Sequence, residues 1–161
     1  MNNKRIAIVP GSFDPITNGH LDILSRAAAE YDVVYLAVMI NSSKQYLFSI
    51  EQRTEIAKAA TSELKNVKVI SSEGMLWALA KELDADAIVK GYRNQTDYAY
   101  EFEMAKFNEE HYPKAKTVLL KANPELEGLS STSVREMLSN NESIEDLMPK
   151  SAAELVYSFY K

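Results

Sequence analysis

The sequence has no cysteine and only two histidines among its 161 residues, and these scarcities exclude several kinds of site. Without cysteine there is no disulfide, no thiolate metal ligand and no cysteine nucleophile. No apolar run approaches the roughly 20 residues that a membrane-spanning helix needs. A net charge of −5 argues against nucleic-acid binding through a broad basic face. The net charge does not exclude binding of small anionic ligands, because a local group of cations can lie within an acidic protein.

Two glycine-rich nucleotide motifs are also missing. No Gly-x-x-x-x-Gly-Lys-Ser/Thr is present, which excludes a P-loop NTPase. No Gly-x-Gly-x-x-Gly follows the first predicted strand, so the dinucleotide-binding fingerprint is absent as well. Recognition of a phosphate would therefore depend on cations, hydroxyls and backbone amides.

The length and the hydrophobic content of 46% predict one domain over residues 1–161. We find no internal repeat, low-complexity tract or linker. Residues 1–5 lead directly into an apolar run without a small-residue cleavage site, so we expect no secretory signal. The absence of cysteine agrees with a cytoplasmic location.

Short apolar runs alternate with helical patterns along the chain. Strands are predicted at Arg5–Val9, Val33–Met39, Val67–Ser71, Ala87–Lys90 and Thr117–Leu120. Helices are predicted near His20–Glu30, Ile50–Ser62, Met75–Leu83, Tyr98–Glu110, Ser131–Ser139 and Ser151–Tyr160. This alternation predicts an α/β fold, a doubly wound five-stranded parallel sheet of order 3-2-1-4-5 with C-terminal helices. Ser49 and Gln52 have the spacing of a capping box.

Ligands of such a sheet bind beyond the carboxyl ends of the strands, where the strand order reverses. That point lies between the first and fourth strands, at the loops Pro10–Asn18 and Gly91–Asp97. The first loop leads into a helix whose first turn contains Gly19 and His20. Helix N-terminal amides are unpaired donors, and an imidazole there can donate a further hydrogen bond to a phosphate. The alternative is an ordinary turn with an exposed histidine.

Three loop cations follow strands in this arrangement: Lys44 after the second, and Lys90 and Arg93 around the turn after the fourth. Loop cations are usually solvated, but their common position at strand ends favours a shared anion site. The run Ser130–Ser133 begins a later helix, and it holds more hydroxyls than one N-cap requires, so a polyphosphate could bind there.

Other polar and aromatic residues suggest structural roles. Tyr98, Tyr100 and Phe102 in the fourth helix are interpreted as packing residues. Glu101 could contact a nucleotide, but a solvated face is the simpler interpretation of this residue. His111, in a polar stretch, is interpreted as a surface residue. No group of histidines and carboxylates predicts a protein-held metal, so we expect a divalent ion to arrive with a nucleotide.

The run Pro10–His20 (PGSFDPITNGH) resembles the signature of the HxGH/TxGH class of nucleotidyltransferases. Together with the Lys44 loop, Gly91-Tyr92-Arg93, Tyr100-Glu101 and Leu129–Thr132, the chain resembles the bacterial phosphopantetheine adenylyltransferase family nearly from end to end. The resemblance implies transfer of the adenylyl group from Mg·ATP to 4′-phosphopantetheine by direct attack at the α-phosphate, giving dephospho-coenzyme A and pyrophosphate. It also implies a cytoplasmic homohexamer, with coenzyme A as a possible feedback ligand and no nucleic-acid or membrane partner.

By the same resemblance, His20 stabilises charge on the α-phosphate and Lys44 orients the reacting phosphates. The implied phosphopantetheine contacts are Ser12, Lys44, Leu76 and Lys90. The implied ATP contacts are Ser12, Phe13, His20, Gly91, Tyr92, Arg93, Glu101, Leu126, Glu127, Gly128, Leu129, Ser130, Ser131 and Thr132. Members of the family usually have arginine in place of Lys90. A lysine lacks the planar fork, so we expect weaker or differently shaped phosphate binding.

Two other functions stay open. A cytidylyltransferase acting on glycerol phosphate or a choline-type alcohol phosphate belongs to the same superfamily. Those enzymes tend to carry His-x-Gly-His, whereas this chain has Thr17 at the first position and lacks an Arg-Thr lead-in before the serine run. A nucleotide-binding sensor without turnover would bind ATP and tolerate loss of His20.

Overall fold

The computed structural model describes residues 4–161. Five strands alternate with helices: β1 Ile6–Gly11, α1 Asn18–Glu30, β2 Val33–Ile40, α2 Ile50–Ala60, β3 Val67–Glu73, α3 Leu76–Glu82, β4 Ala87–Tyr92, α4 Gln95–His111 and β5 Lys116–Lys121. After β5 come a 3-10 turn at Pro124–Leu126, α5 Ser131–Ser139, a second 3-10 turn at Glu145–Leu147 and α6 Lys150–Tyr160.

The five strands form one parallel sheet in the order β3-β2-β1-β4-β5, as predicted. β1 and β4 are neighbours, with Ala7 opposite Ala87, so the order reverses between them. β3 extends two residues beyond its predicted end, because the pairing with β2 continues to Ile40 opposite Glu73.

Apolar side chains on the two faces of the sheet build separate cores. On one face, strand residues such as Val9, Leu36 and Val89 pack with α1, α2, α5 and α6. On the other face, Ile8 and Ile88 pack with α3 and the end of α4. Because strands buried on both faces contribute side chains to both layers, their sequences are continuous apolar runs, and this pattern made them recognisable.

Helix caps set several boundaries in the chain. The Ser49–Gln52 capping box is present, with the Ser49 hydroxyl accepting from the Gln52 amide. α4 begins at Gln95, three residues before the predicted start, because the Asn94 side chain accepts from the Asp97 amide at 2.9 Å and caps the helix there. Within residues 4–161, each helix is too short or too polar to cross a bilayer.

Candidate active site

A cavity of about 350 Å³ lies at the carboxyl ends of β1 and β4, where the strand order reverses. Its size suits a small-molecule ligand. The lining joins the turn after β1, the turn after β4, α4 and the start of α5. Predicted site residues in this lining are Phe13, His20, Lys90, Gly91, Tyr92, Arg93, Glu101, Leu126, Leu129, Ser130 and Ser131. The predicted convergence of distant loops is therefore present.

His20 is held by the N-terminus of its own helix. Its Nδ1 accepts from the Thr17 amide at 2.9 Å, while the Thr17 hydroxyl accepts from the Gly19 amide at 3.2 Å. An imidazole therefore takes the place that glutamate or glutamine usually holds in a capping box. Since Nδ1 is the acceptor, the ring proton of neutral His20 lies on Nε2.

The protonation of His20 follows from its surroundings. Burial lowers the pKa of His20 to about 4, and the positive charge of Arg93 acts on that pKa in the same direction. At neutral pH the side chain is thus a neutral imidazole that can donate from Nε2.

Phe13 gives the turn after β1 a strained backbone. Its φ is +48°, a left-handed conformation that non-glycine residues seldom adopt, although the side chain is buried. The ring packs edge-on against the His20 imidazole, with centroids 5.0 Å apart. Strain of this kind collects at functional sites because the surrounding structure over-determines the conformation.

Asp14 ties that turn to the loop before α2. Its buried carboxylate accepts from the Leu47 and Phe48 amides at 2.8 and 3.0 Å. The Asp14 carbonyl accepts from the Arg135 guanidinium at 2.8 Å, which adds a link to α5. The carboxylate therefore organises the backbone around the cavity.

Lys44 lies outside the lining of the cavity, on the exposed loop between β2 and α2. Its ammonium donates to the Ser12 hydroxyl at 3.3 Å. Ser12 is the residue before Phe13, so the contact brings Lys44 to the edge of the turn after β1.

Lys90 and Glu101 form an ion pair inside the cavity, with Nζ and Oε1 2.6 Å apart. Both side chains are partly buried. The interpretation of Glu101 as a solvated residue is therefore wrong: α4 turns it inward onto β4. A lysine that already has a carboxylate partner offers less charge to a phosphate than a free one.

Arg93 is paired in the same way. Its Nε donates to Asp97 Oδ2 at 3.0 Å, and its backbone amide donates to the same oxygen at 3.1 Å. The Arg93 hydrogen bond lowers the pKa of Asp97. Among the described residues lining the cavity, each cation thus has a carboxylate partner.

The hydroxyls at the start of α5 have structural partners. Ser130 and Ser133 form a reciprocal capping box, with amide–hydroxyl distances of 3.0 Å each way. The Ser131 hydroxyl donates to the Pro15 carbonyl at 2.8 Å, and Thr132 accepts from Arg135 at 3.1 Å. The run has more hydroxyls than one cap needs partly because it joins α5 to the turn after β1. Because the Ser133 amide is used in this capping box, the first-turn amides that remain available to a ligand are those of Ser131 and Thr132.

Gly91 has a packing role beside the cavity. A Cβ at this position would come within 2.9 Å of Ile23 Cγ1, so only glycine lets α1 pack this closely on β4. Among the other predicted residues, Ser12, Glu127, Gly128 and Thr132 lie outside the lining although neighbouring residues belong to it. Leu76, the first residue of α3, packs against the second core and is also outside the lining.

The packing predicted for the aromatic residues of α4 is present in part: the Tyr98 ring packs edge-on against Tyr92 and stacks on Phe102, with centroids 4.9 and 6.2 Å apart. Tyr100 is 63% exposed and Phe102 is 47% exposed, and Tyr98 is exposed as well. Their exposure follows from the turn of the helix that places Glu101 inside. His111 is exposed as predicted, and it stacks on Trp77 with centroids 5.1 Å apart.

Sequence reasoning missed four residues that hold the site together: Asp14, Arg53, Asp97 and Arg135. The Arg53 side chain is 2% exposed and donates to three backbone carbonyls. A charged residue at an inward position of the α2 pattern is the signal that could have found it. In residues 4–161 we find no group of three or more histidine and acidic side chains placed to hold a metal ion.

Comparison with known proteins places this geometry in a family. Residues 8–137 match the model of the cytidylyltransferase-like family. A phosphopantetheine adenylyltransferase of Caldanaerobacter subterraneus subsp. tengcongensis is 40% identical over 157 residues, covering 98% of each chain. This chain belongs to the phosphopantetheine adenylyltransferase family. The resemblance in its motifs is thereby confirmed.

Other relatives agree with the assignment to the phosphopantetheine adenylyltransferase family. A phosphopantetheine adenylyltransferase of Clostridium botulinum (strain Alaska E43 / Type E3) is 42% identical over 146 residues, which are 91% of this chain and 92% of that protein. Among solved structures, a candidate nicotinate-nucleotide adenylyltransferase from Vibrio parahaemolyticus superposes with a TM-score of 0.75 at 21% identity, over 96% of this chain and 93% of that one. At that identity the superposition supports the fold alone.

Proposed function

We propose that this protein transfers the adenylyl group of ATP to 4′-phosphopantetheine, producing dephospho-coenzyme A and pyrophosphate. The observation that carries the proposal is the cavity at the β1–β4 switch point, where the Nε2–H of a neutral His20 is available as a donor. The full-length similarity to phosphopantetheine adenylyltransferases supplies the substrate class.

The reaction needs no covalent intermediate with the protein. A phosphate oxygen of the acceptor forms a bond to the α-phosphorus of ATP, and the bond from that phosphorus to the bridging oxygen breaks. Pyrophosphate leaves with the electron pair. Because both reactants are anions, most of the acceleration comes from positioning and electrostatic stabilisation.

His20 and Lys44 are the proposed catalytic residues. The Nε2–H of His20 donates to a non-bridging oxygen of the α-phosphate, where negative charge builds up in the transition state. The capping bond to Thr17 holds the ring in place before the substrate arrives. Lys44, at the edge of the turn after β1, orients the two reacting phosphates.

The remaining site residues divide between the two substrates. We assign the acceptor to Ser12, Lys44, Leu76 and Lys90. The ATP site consists of residues 12, 13, 20, 91–93, 101 and 126–132, with the start of α5 holding the β- and γ-phosphates through first-turn amides. Lys90 must exchange or share its Glu101 partner when the acceptor phosphate binds.

Magnesium enters in this proposal as part of the substrate, Mg·ATP. The ion prefers phosphate oxygens and water, and it needs few protein ligands when it arrives on a nucleotide.

We further propose that one domain over residues 1–161 carries the activity, and that the protein is cytoplasmic. We also propose a homohexamer, which the resemblance to the family implies; the exposed aromatic residues of α4 suit a contact with a neighbouring copy but fit other assemblies equally well. Coenzyme A is proposed as a feedback ligand.

A pyrophosphate-release assay tests the function against its alternatives. ATP with phosphopantetheine is expected to give turnover, whereas CTP with glycerol 3-phosphate is not. The opposite preference would favour a cytidylyltransferase. Binding of ATP without pyrophosphate release from either pair would favour a sensor and contradict the proposal.

A further inference from the structure

The loop between β2 and α2 presents Lys44 to solvent, so the backbone of the loop decides where its ammonium can reach. A lysine side chain has a flexible four-carbon stem. The contact of its Nζ with the Ser12 hydroxyl, at 3.3 Å, crosses from this loop to the turn after β1. For Lys44 to orient substrate phosphates, contacts with the rest of the protein must hold its loop in place.

Some of these contacts form a compact turn built on Asn41. Its carbonyl accepts from the Lys44 amide at 3.0 Å. Its side-chain oxygen accepts from the Ser43 amide at 3.0 Å and from the Ser43 hydroxyl at 2.7 Å. The position of Asn41 therefore determines the position of Lys44.

Tyr46 connects this turn to the interior. Its hydroxyl oxygen accepts from the Asn41 amide at 2.9 Å. Its ring lies against the Arg53 guanidinium, whose central carbon is 3.8 Å from the ring centroid. One side chain thus joins the start of the turn to a buried cation.

Arg53 is itself fixed by three backbone carbonyls. It donates to Ser12 at 2.8 Å, to Met39 at 3.2 Å and to Phe48 at 3.2 Å. These carbonyls belong to the turn after β1, to β2 and to the loop just before α2. Because Arg53 holds the Ser12 backbone and Tyr46 rests on Arg53, both ends of the Lys44–Ser12 contact share one anchor.

We propose that Tyr46 is a positioning residue for Lys44 in the adenylyl transfer. Its ring fixes the lysine loop on Arg53, and its hydroxyl fixes the start of the Asn41 turn. The inference rests on the proposed function, since it gives Lys44 the orienting role. It adds that Tyr46 acts through Lys44 and touches neither substrate.

The experiment compares kcat and KM in Tyr46→Ala, which loses the ring and the hydroxyl, with Tyr46→Phe, which keeps the ring. A misplaced catalytic group can cost up to about 100-fold in rate, and we expect kcat to fall roughly tenfold in Tyr46→Ala. We expect Tyr46→Phe to recover most of that loss and KM for ATP to change less than about twofold in both. Tyr31→Ala is the matched control. The Arg5 guanidinium lies over the Tyr31 ring, with its central carbon 4.6 Å from the ring centroid, but this pair is away from the site.

A double-mutant cycle with Lys44→Ala separates positioning from general stability. If Tyr46 acts through Lys44, adding Tyr46→Ala to Lys44→Ala lowers kcat no further, whereas independent effects would multiply. An unchanged kcat in Tyr46→Ala, a loss equal to that of Tyr31→Ala, or full multiplication in the cycle would overturn the proposal. Wild-type protein without pyrophosphate release would refute the proposed function itself. Wild-type turnover with a multiplicative cycle would remove only the role of Tyr46.

Discussion

The turn after β1, with the start of α1, offers the cavity a neutral donor, whereas the end of β4 and the turn that follows it offer cations that already have partners. His20 is fixed by the Thr17 amide and keeps Nε2–H free. Lys90 is paired with Glu101, and Arg93 is paired with Asp97. The two places therefore bind an anion in different ways. His20 is a rigid donor that needs no reorganisation, whereas Lys90 and Arg93 must exchange their carboxylate partners as substrate binds.

The contrast between the two turns also explains how an acidic protein can hold two anionic substrates. Pairing lowers the cost of keeping cations together in a partly buried cavity while the site is empty. A substrate phosphate can then replace a carboxylate as the partner. Variants of each turn test this difference, and the strongest effect is expected at His20.

Removing the donor of His20 without removing its cap is expected to lower activity most. In His20→Asn the shorter side chain can still accept from the Thr17 amide but cannot reach the position of Nε2. We expect kcat to fall about 10²–10³-fold, as for loss of one oxyanion donor, with ATP binding close to normal. Pyrophosphate release and ATP titration measure the two quantities. His111→Asn is the control, and a His20→Asn variant with wild-type kcat would contradict the catalytic role.

The low pKa of His20 also predicts a pH dependence of stability. The ordinary pKa is 6.5 and the folded pKa is about 4, so the unfolded chain binds a proton between these values and the folded protein does not. Stability therefore falls as pH decreases from 6.5 to 4. Each pKa unit corresponds to about 1.4 kcal/mol. Because the His20 ring is partly exposed and keeps some solvation, we expect a loss of about 2 kcal/mol, which is less than the full difference between 6.5 and 4 would give.

Urea unfolding at pH 7 and pH 4 measures this pH dependence. The change in the free energy of unfolding should be smaller in His20→Asn by that amount, because asparagine does not titrate. Equal pH dependence in the two proteins would show that His20 is not held neutral by the fold.

Releasing Lys90 from its carboxylate should strengthen anion binding at the other turn. In Glu101→Gln the ammonium no longer has a charged partner 2.6 Å away. We expect inorganic tripolyphosphate to bind about fivefold more tightly by calorimetry, the size of an ordinary ion-pair effect in a partly buried site. Glu103→Gln is the control, because Glu103 lies on the same helix in an exposed pair with Lys106. Weaker binding in Glu101→Gln would mean that Glu101 does not compete for Lys90.

Changing Lys90 to arginine should have a weaker effect than any of these variants. The guanidinium can hold a phosphate with two parallel hydrogen bonds through its planar fork and still contact Glu101, whereas an ammonium acts as a point charge without that bidentate geometry. We expect KM for phosphopantetheine to fall about threefold in Lys90→Arg, with kcat nearly unchanged, in steady-state assays. An unchanged KM would show that having lysine at position 90, where the family usually has arginine, does not affect phosphopantetheine binding.

Much of the site could be predicted from the sequence. The apolar runs indicated the strand order, because a doubly wound sheet admits few connections. That order placed the PGSFDPITNGH turn beside the Lys90–Arg93 turn, and the cavity lies there. The partners of the cations were not predictable, since Glu101 and Asp97 come from a helix whose rotation decides which side chains face β4.

The topology, the family motif and the identity of the groups at the strand ends follow from the amino-acid sequence alone, because periodicity and short-range capping are local properties of the chain. The chemical state of those groups depends on the folded structure. His20 is neutral because folding buries it near Arg93, and Lys44 contacts Ser12 although the two residues lie on separate loops. Such states depend on distances between residues far apart in the chain, and these distances are set by packing.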